Sequence, residues 1–313
     1  MSSRGRACVR ATLLLGVGFL AGVHQRLDAA PRAAPAAHAP ALLRAARGAA
    51  APAAEQLRTY FAFPAGVTRV IVNVGSNVDP PTPPDEVTAV IAVEPIPATA
   101  RAIPPHPLVF VIVAAIGGNA TGFANFYTFN RNGESSSLAD LPADVKASTH
   151  SSKWWARDAL RPADVPRVLF TPVLPLALLL AAVPPHVRVA QLKTDMQGFD
   201  FAAVSAAGAA LRRAEVVTSE VLCHMEQFQE GDANVGAAVP HIAFNKNAPP
   251  NRFDADWKGH MEALGYELVH SPCAGHPLEG DAVWQQAGGC DGGCLLPPRP
   301  AVAAPAAAAP AAA

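Results

Sequence analysis

The chain has 313 residues with 24 Lys and Arg against 25 Asp and Glu, and only 16% of it is charged, where about 25% is usual. Half the residues are apolar but 6% are aromatic, and the 31 prolines are about twice the ordinary share. Electroneutrality without a Lys/Arg block argues against electrostatic binding of nucleic acid. No apolar run reaches the roughly 18 residues of a membrane-spanning helix, which excludes a multi-pass transporter.

The N-terminus carries Arg4, Arg6 and Arg10 ahead of the apolar run Ala11–Val23, ATLLLGVGFLAGV. Through residue 54 the only acid is Asp28. A positive region followed by a short apolar one is the layout of a secretory signal, assigned to residues 1–28. At 1.5 Å per residue the run reaches about 20 Å, short of the roughly 30 Å hydrocarbon core. That favours a cleaved signal and a lumenal or secreted protein. The rivals are a short single-pass membrane anchor, as in a Golgi-anchored protein, and an organellar transit peptide. Residues 29–54 are an Ala/Pro/Arg-rich linker and 297–313 an Ala/Pro tail, compositions that cannot build a core. The predicted folded unit is 55–296.

Within it, Thr68–Val74 (TRVIVNV), Val87–Val93 (VTAVIAV) and Leu108–Ile116 (LVFVIVAAI) read as strands of a sheet covered on both faces. Phe123–Phe129 alternates like an exposed edge strand, and 130–165 is polar and aperiodic, a long loop. Leu174–Val183 predicts a helix ended by Pro184–Pro185, Val187–Leu192 a strand, Phe201–Ala214 a helix and Glu215–Leu222 a strand. Ala255–Leu264 predicts a helix and Tyr266–His270 the last strand. Alternation of strand and helix gives an open α/β fold, a mostly parallel central sheet with helices on both faces.

Ligands of open α/β sheets bind outside the carboxyl ends of the strands. There the first strand presents Asn73-Val74-Gly75-Ser76-Asn77-Val78-Asp79, and the second ends at Glu94. A Gly turn lets backbone approach a ligand, and an acid about twenty residues on can accept both ribose hydroxyls. The GxGxxG fingerprint is missing, which weighs against a dinucleotide enzyme.

Taken in order, VIVNVGSNVDP, AVIAVEPIP, AAIGG, GESSSL, VAQLKTDMQGFDFAAVSAAGAAL and VVTSEVL resemble the FkbM-type methyltransferases, a class I group dependent on S-adenosylmethionine. The likeness covers about 69–222, with MEALGYELV as a continuation. It implies a Rossmann-like fold, with Asn73, Gly75, Ser76 and Asn77 lining the cofactor's amino-acid part and Glu94 holding its ribose. It implies transfer of a methyl group to an oxygen of a sugar or small metabolite, a glycan acceptor included. Lys193, Asp195 and Glu220 are the candidate catalytic groups, with Gln197 beside them and His224 beyond. The chain departs from the family in having Asn73 where Asp is common and in the run Pro80-Pro81-Thr82-Pro83-Pro84, which precludes a regular first helix. Those departures keep a second reading open, a catalytically inactive domain of the same fold serving as a binding module.

The serines at 135–137 and Trp154–Trp155 are candidates for an acceptor lid. Cys223, Cys273, Cys290 and Cys294 could form two disulfides in an oxidising lumen, with three possible connectivities. Zinc ligation by His270, Cys273, His276 and the last pair fits no standard spacing, so no metal is expected. Asn119-Ala120-Thr121 is the one N-glycosylation sequon.

Overall fold

A computed structural model describes residues 54–128, 136–139, 168–223, 251–273 and 279–288. The first strands are the ones expected: β1 (Arg69–Val74) and β2 (Thr88–Val93) pair in parallel, Ile71 beside Val90. Every residue of β2, and all but Arg69 of β1, is buried. Alternate side chains point to opposite faces, so both faces of these strands are covered. The link between them, residues 75–87, holds no helix, as its prolines demand.

The third apolar run divides. β3 (Val109–Ile112) joins β2 in parallel, whereas β4 (Ala115–Gly117) leaves the sheet to pair with another strand. An uninterrupted run of nine apolar residues does not reveal a crossing between two sheets, because its composition is the same on both sides of the break although β3 is mostly half-buried and β4 buried. The strand predicted at Phe123–Phe129 is β5 (Gly122–Tyr127), and it edges this second sheet. At its centre is β6 (Val168–Pro175), which sequence reading missed. Pro172 and Pro175 mask it, since proline is rare inside sheets. Consequently the predicted helix at Leu174–Val183 begins later, after Pro175.

The helices are a segment at 54–60 (α1), α2 (Pro97–Ala102), α3 (Leu176–Ala182), α4 (Asp200–Ala207) and α5 (Lys258–Ala263). The helix expected to run to Ala214 is α4 followed by a tighter 3-10 turn, Gly208–Arg213, because Gly208 takes a positive φ of 52°. Arg213 then donates to the carbonyls of Leu180, Val183, Pro184 and Val187. One guanidinium with five donors thus satisfies the carbonyls where α3 ends in prolines.

The remaining strands are β7 (Arg188–Thr194), β8 (Ala214–Leu222), β9 (Tyr266–His270) and β10 (Glu279–Gln286). The large sheet runs β3-β2-β1-β7-β8-β10-β9. It is parallel from β3 to β8, and β10 lies antiparallel to both neighbours. β10 was missed as well, because only Ala282, Val283 and Trp284 of it are buried. Behind β10, Trp284 stacks on Trp257 at 5.1 Å, and Trp257 donates its indole N–H to Asn251 at 2.7 Å. Trp257 closes a π-helical turn, Phe253–Trp257, where the expected helix begins. Among the described residues no helix is long and apolar enough to cross a membrane.

Candidate functional site

Strand order reverses between β1 and β7, and such a reversal leaves a crevice beyond the carboxyl ends of the strands. A crevice open to solvent, about 660 Å³ when the solvent at its mouth is counted, lies there. Val74, Gly75 and Asn77 line it after β1, Glu94 and Pro95 after β2, and Asp195 to Gln197 with Phe199 after β7. Ala114, Ala115 and Ile116 form an apolar wall with Phe126, Leu138 and the backbone's crossing into β4.

Gly75 is required by geometry. Its φ is +76°, and a Cβ there would lie 1.9 Å from the carbonyl oxygen of Asp195. The chain draws this tight because the N–H groups of Gly75 and Ser76 both bond to the Val93 carbonyl, while Asp195 N–H bonds to the Val74 carbonyl. The β1, β2 and β7 ends are therefore tied to one another by backbone alone. Ser76 and Asn73 are buried beneath the turn, with Ser76 Oγ donating to the Asn73 carbonyl at 2.8 Å. They shape the turn without lining the cavity. Asn77 does line it, in a left-handed conformation with φ 48°.

Glu94 is 5% exposed. One of its oxygens accepts from Asn77 N–H and the other from Ile96 N–H, each at 2.9 Å. Burial outweighs these two donors and pushes its carboxyl up to about 7. A carboxylate has about four acceptor positions, so two backbone bonds leave room for two ligand hydroxyls.

The β7 side is arranged differently. Only Asp195 of the predicted catalytic trio reaches the cavity. Lys193 stands with its amine 3.9 Å from Asp195 and 4.0 Å from Asp281. Glu220, near the end of β8 and opposite Asp281 of β10, touches the cavity's edge through Gln197. The amide of Gln197 donates to Asp195 at 3.0 Å and to Glu220 at 3.1 Å, from a backbone with φ 52°. Burial, then repulsion from Asp195, Asp200, Glu279 and Asp281, drives the Glu220 carboxyl well above its usual range. Burial and Asp195 likewise push Glu279 up to about 7.

Asp200 was not among the predicted site residues, yet it holds the β7 loop. It is fully buried, and both its oxygens accept from Met196 N–H at 3.1 and 3.2 Å. Burial first, and Asp195 second, raise it to about 7. Its position in KTDMQGFD was the available signal. From the opposite wall Ser137 Oγ donates to the Gln197 carbonyl at 2.9 Å. Ser136 lines the cavity with its hydroxyl buried and without a hydrogen-bond partner among the described residues. Of the three serines, Ser136 and Ser137 thus stand at the site, and Ser135 lies outside the described residues. Trp154–Trp155, His224 and His276 lie outside the described residues.

No family model matches the chain, and no curated protein does.

Among the described residues no group of His, Cys, Asp and Glu is arranged to hold a metal ion. Cys223, just after β8, is bonded to Cys273, just after β9. That is one of the connectivities left open by sequence, and Cys290 and Cys294 lie outside the described residues.

Proposed function

We propose that this chain is an S-adenosylmethionine-dependent methyltransferase of the FkbM type, acting on a hydroxyl of a sugar or other small molecule in the secretory pathway. The observation that carries it is the cavity at the β1/β7 reversal, lined together by Gly75, Asn77, Glu94 and Asp195. The sheet, parallel up to β8 with an antiparallel β10 between β8 and β9, suits the Rossmann-like class I architecture that the resemblance implies. The donor set fits the cofactor too. Glu94 offers acceptor positions for a ribose diol, the Ala114–Ile116 wall suits a flat base, and Asp195 suits the cationic end. Ser136 Oγ is a buried polar atom without a partner among the described residues. When bound, the cofactor supplies a methyl group on a sulfonium. The protein's own work is to aim an acceptor oxygen at it and to take the acceptor's proton. A carboxylate is suited to take that proton, and Asp195, joined to Glu220 through the amide of Gln197, lies on the acceptor side. Lys193, 3.9 Å from Asp195, steadies that carboxylate. The Cys223–Cys273 bond supports an oxidising compartment.

The second reading, a non-catalytic binding module, is favoured by the lack of a helix after β1, which removes a helix N-terminus as an anion anchor. Calorimetric titration of the purified full chain with S-adenosylmethionine and its demethylated product tests both. Saturable binding is expected, weakened at least tenfold by Glu94→Ala, since a hydrogen bond to a charged group contributes about 1.5–3 kcal/mol. Binding without methyl transfer to any hydroxyl acceptor selects the module. Absence of binding by the folded protein overturns the cofactor assignment.

A further inference from the structure

The sequon at Asn119 belongs to no part of the cavity, and its surroundings assign it a role. Gly118 and Asn119 form a bend between β4 and β5, and Asn119, Ala120 and Thr121 are all exposed. A glycan on Asn119 would leave into water without disturbing a strand pair, because β5 begins only at Gly122. Sequons are glycosylated only in the lumen of the secretory pathway, and the Cys223–Cys273 bond is the covalent signature of such an oxidising compartment.

The adjoining surface supplies a third observation. Phe123 and Phe170 are 54% and 73% exposed, yet their rings stack on each other at 5.3 Å and 16°. Val168, on the same strand and face as Phe170, is 45% exposed. Phe123 lies four residues after Asn119, which limits their separation to about 14 Å. Exposed aromatic rings carry a negative face, against which the C–H groups of a pyranose ring pack well. An apolar patch beside an attachment point is thus suited to cover by the first sugars attached there.

We propose that Asn119 is an N-glycosylation site and that its glycan lies over the Phe123–Phe170 pair, shielding the outer face of the small sheet. This does not depend on the methyltransferase reading.

The test is to express the full chain with its own N-terminus in eukaryotic cells and to measure intact mass and peptide maps before and after treatment with peptide N-glycosidase. One glycan is expected, on Asn119, lost in Asn119→Gln and Thr121→Ala and retained in Thr121→Ser. Protein that is folded and bonded at Cys223–Cys273 but unmodified at Asn119 overturns the site. So does a mass shift that persists in Asn119→Gln. For the shielding, binding of an apolar fluorescent dye should increase from wild type to Thr121→Ala and fall again in Thr121→Ala/Phe170→Ser. Equal dye binding by wild type and Thr121→Ala overturns the covering of the patch.

Discussion

At the β1–β2 end of the sheet one carboxylate, Glu94, is buried alone and held by two backbone N–H groups. At the β7–β8–β10 end Asp195, Glu220, Glu279 and Asp281 crowd together with Asp200 beneath them, and a side-chain amide and one lysine stand between them. Both arrangements raise carboxyl pKa values, for different reasons. Glu94 is raised by desolvation alone and is geometrically fixed, because its partners are the backbone of the turn it serves. On the rim, repulsion adds to desolvation, and the charges are shared through flexible side chains. A fixed, solitary acceptor is suited to recognising one constant group. A crowded rim of carboxyls joined by one amide holds protons more readily than a solitary carboxylate in water does.

The fixed side is the easier to break. Gly75→Ala places a methyl group 1.9 Å from the Asp195 carbonyl oxygen at a φ of +76°. Neither the backbone of β7 nor that of β1 can yield without losing the bonds that join their ends. The loss expected is about 4 kcal/mol or more, the range of exceptional single substitutions, read as a shift in the urea midpoint or as failure to fold. Wild-type stability in this variant would mean that the turn is not held as tightly as its hydrogen bonds imply.

Glu94 sharpens the contrast through pH. Its folded-state value of about 7 stands above the 4.5 of an ordinary Glu, so between those limits the folded protein binds more protons than the unfolded one. Its stability contribution is complete below pH 4.5 and is lost as pH rises through 7. The loss is about 3 kcal/mol for a shift of this size. Asp200 and Glu279 tilt the profile the same way. A diol donating to Glu94 prefers the carboxylate, so ligand affinity should change with the opposite sign and weaken as pH falls below 7. Urea unfolding at pH 5 and pH 8 checks the first, and titration calorimetry across the same range the second. Glu94→Gln should flatten Glu94's share of the stability slope, although its amide must oppose a backbone N–H and so weakens the protein at low pH. An unchanged slope in Glu94→Gln would assign the whole pH dependence to the rim.

These two halves also differ in how far sequence revealed them. Gly75 and Glu94 were legible because one strand, its turn and the next strand's end are near in sequence, and the chemistry of each residue states its use. The cavity's other walls were not. Ala114–Ile116 reach it only because an uninterrupted apolar run divides between two sheets, and β6, which draws β4 away, carries prolines that argue against a strand. Phe126, Leu138 and Ser136 follow from that same second sheet and the segment paired to it. On the rim, Asp195, Gln197 and Glu220 were individually visible. Their crowding with Glu279 and Asp281 depends on β10, whose three buried residues among polar ones gave no strand pattern. Local turn chemistry is written in neighbouring residues, whereas crowding of charge is a property of which strands become neighbours.

The smallest expected effect tests that crowding. Gln197 Nε2 gives one hydrogen bond to Asp195 and one to Glu220. Gln197→Glu keeps the size of the side chain and replaces the donor with another acid. At pH 8 the variant loses both hydrogen bonds and adds another acid to the crowd, a cost of about 2 kcal/mol. At pH 5 a proton can take the place of the amide hydrogen between paired carboxyls, so much of that cost should disappear. The difference between wild type and variant is therefore expected to shrink on acidification, measured by urea unfolding at the two pH values. A deficit of equal size at both would mean that Gln197 acts through its left-handed backbone and its packing, and that the rim is held by Lys193 instead.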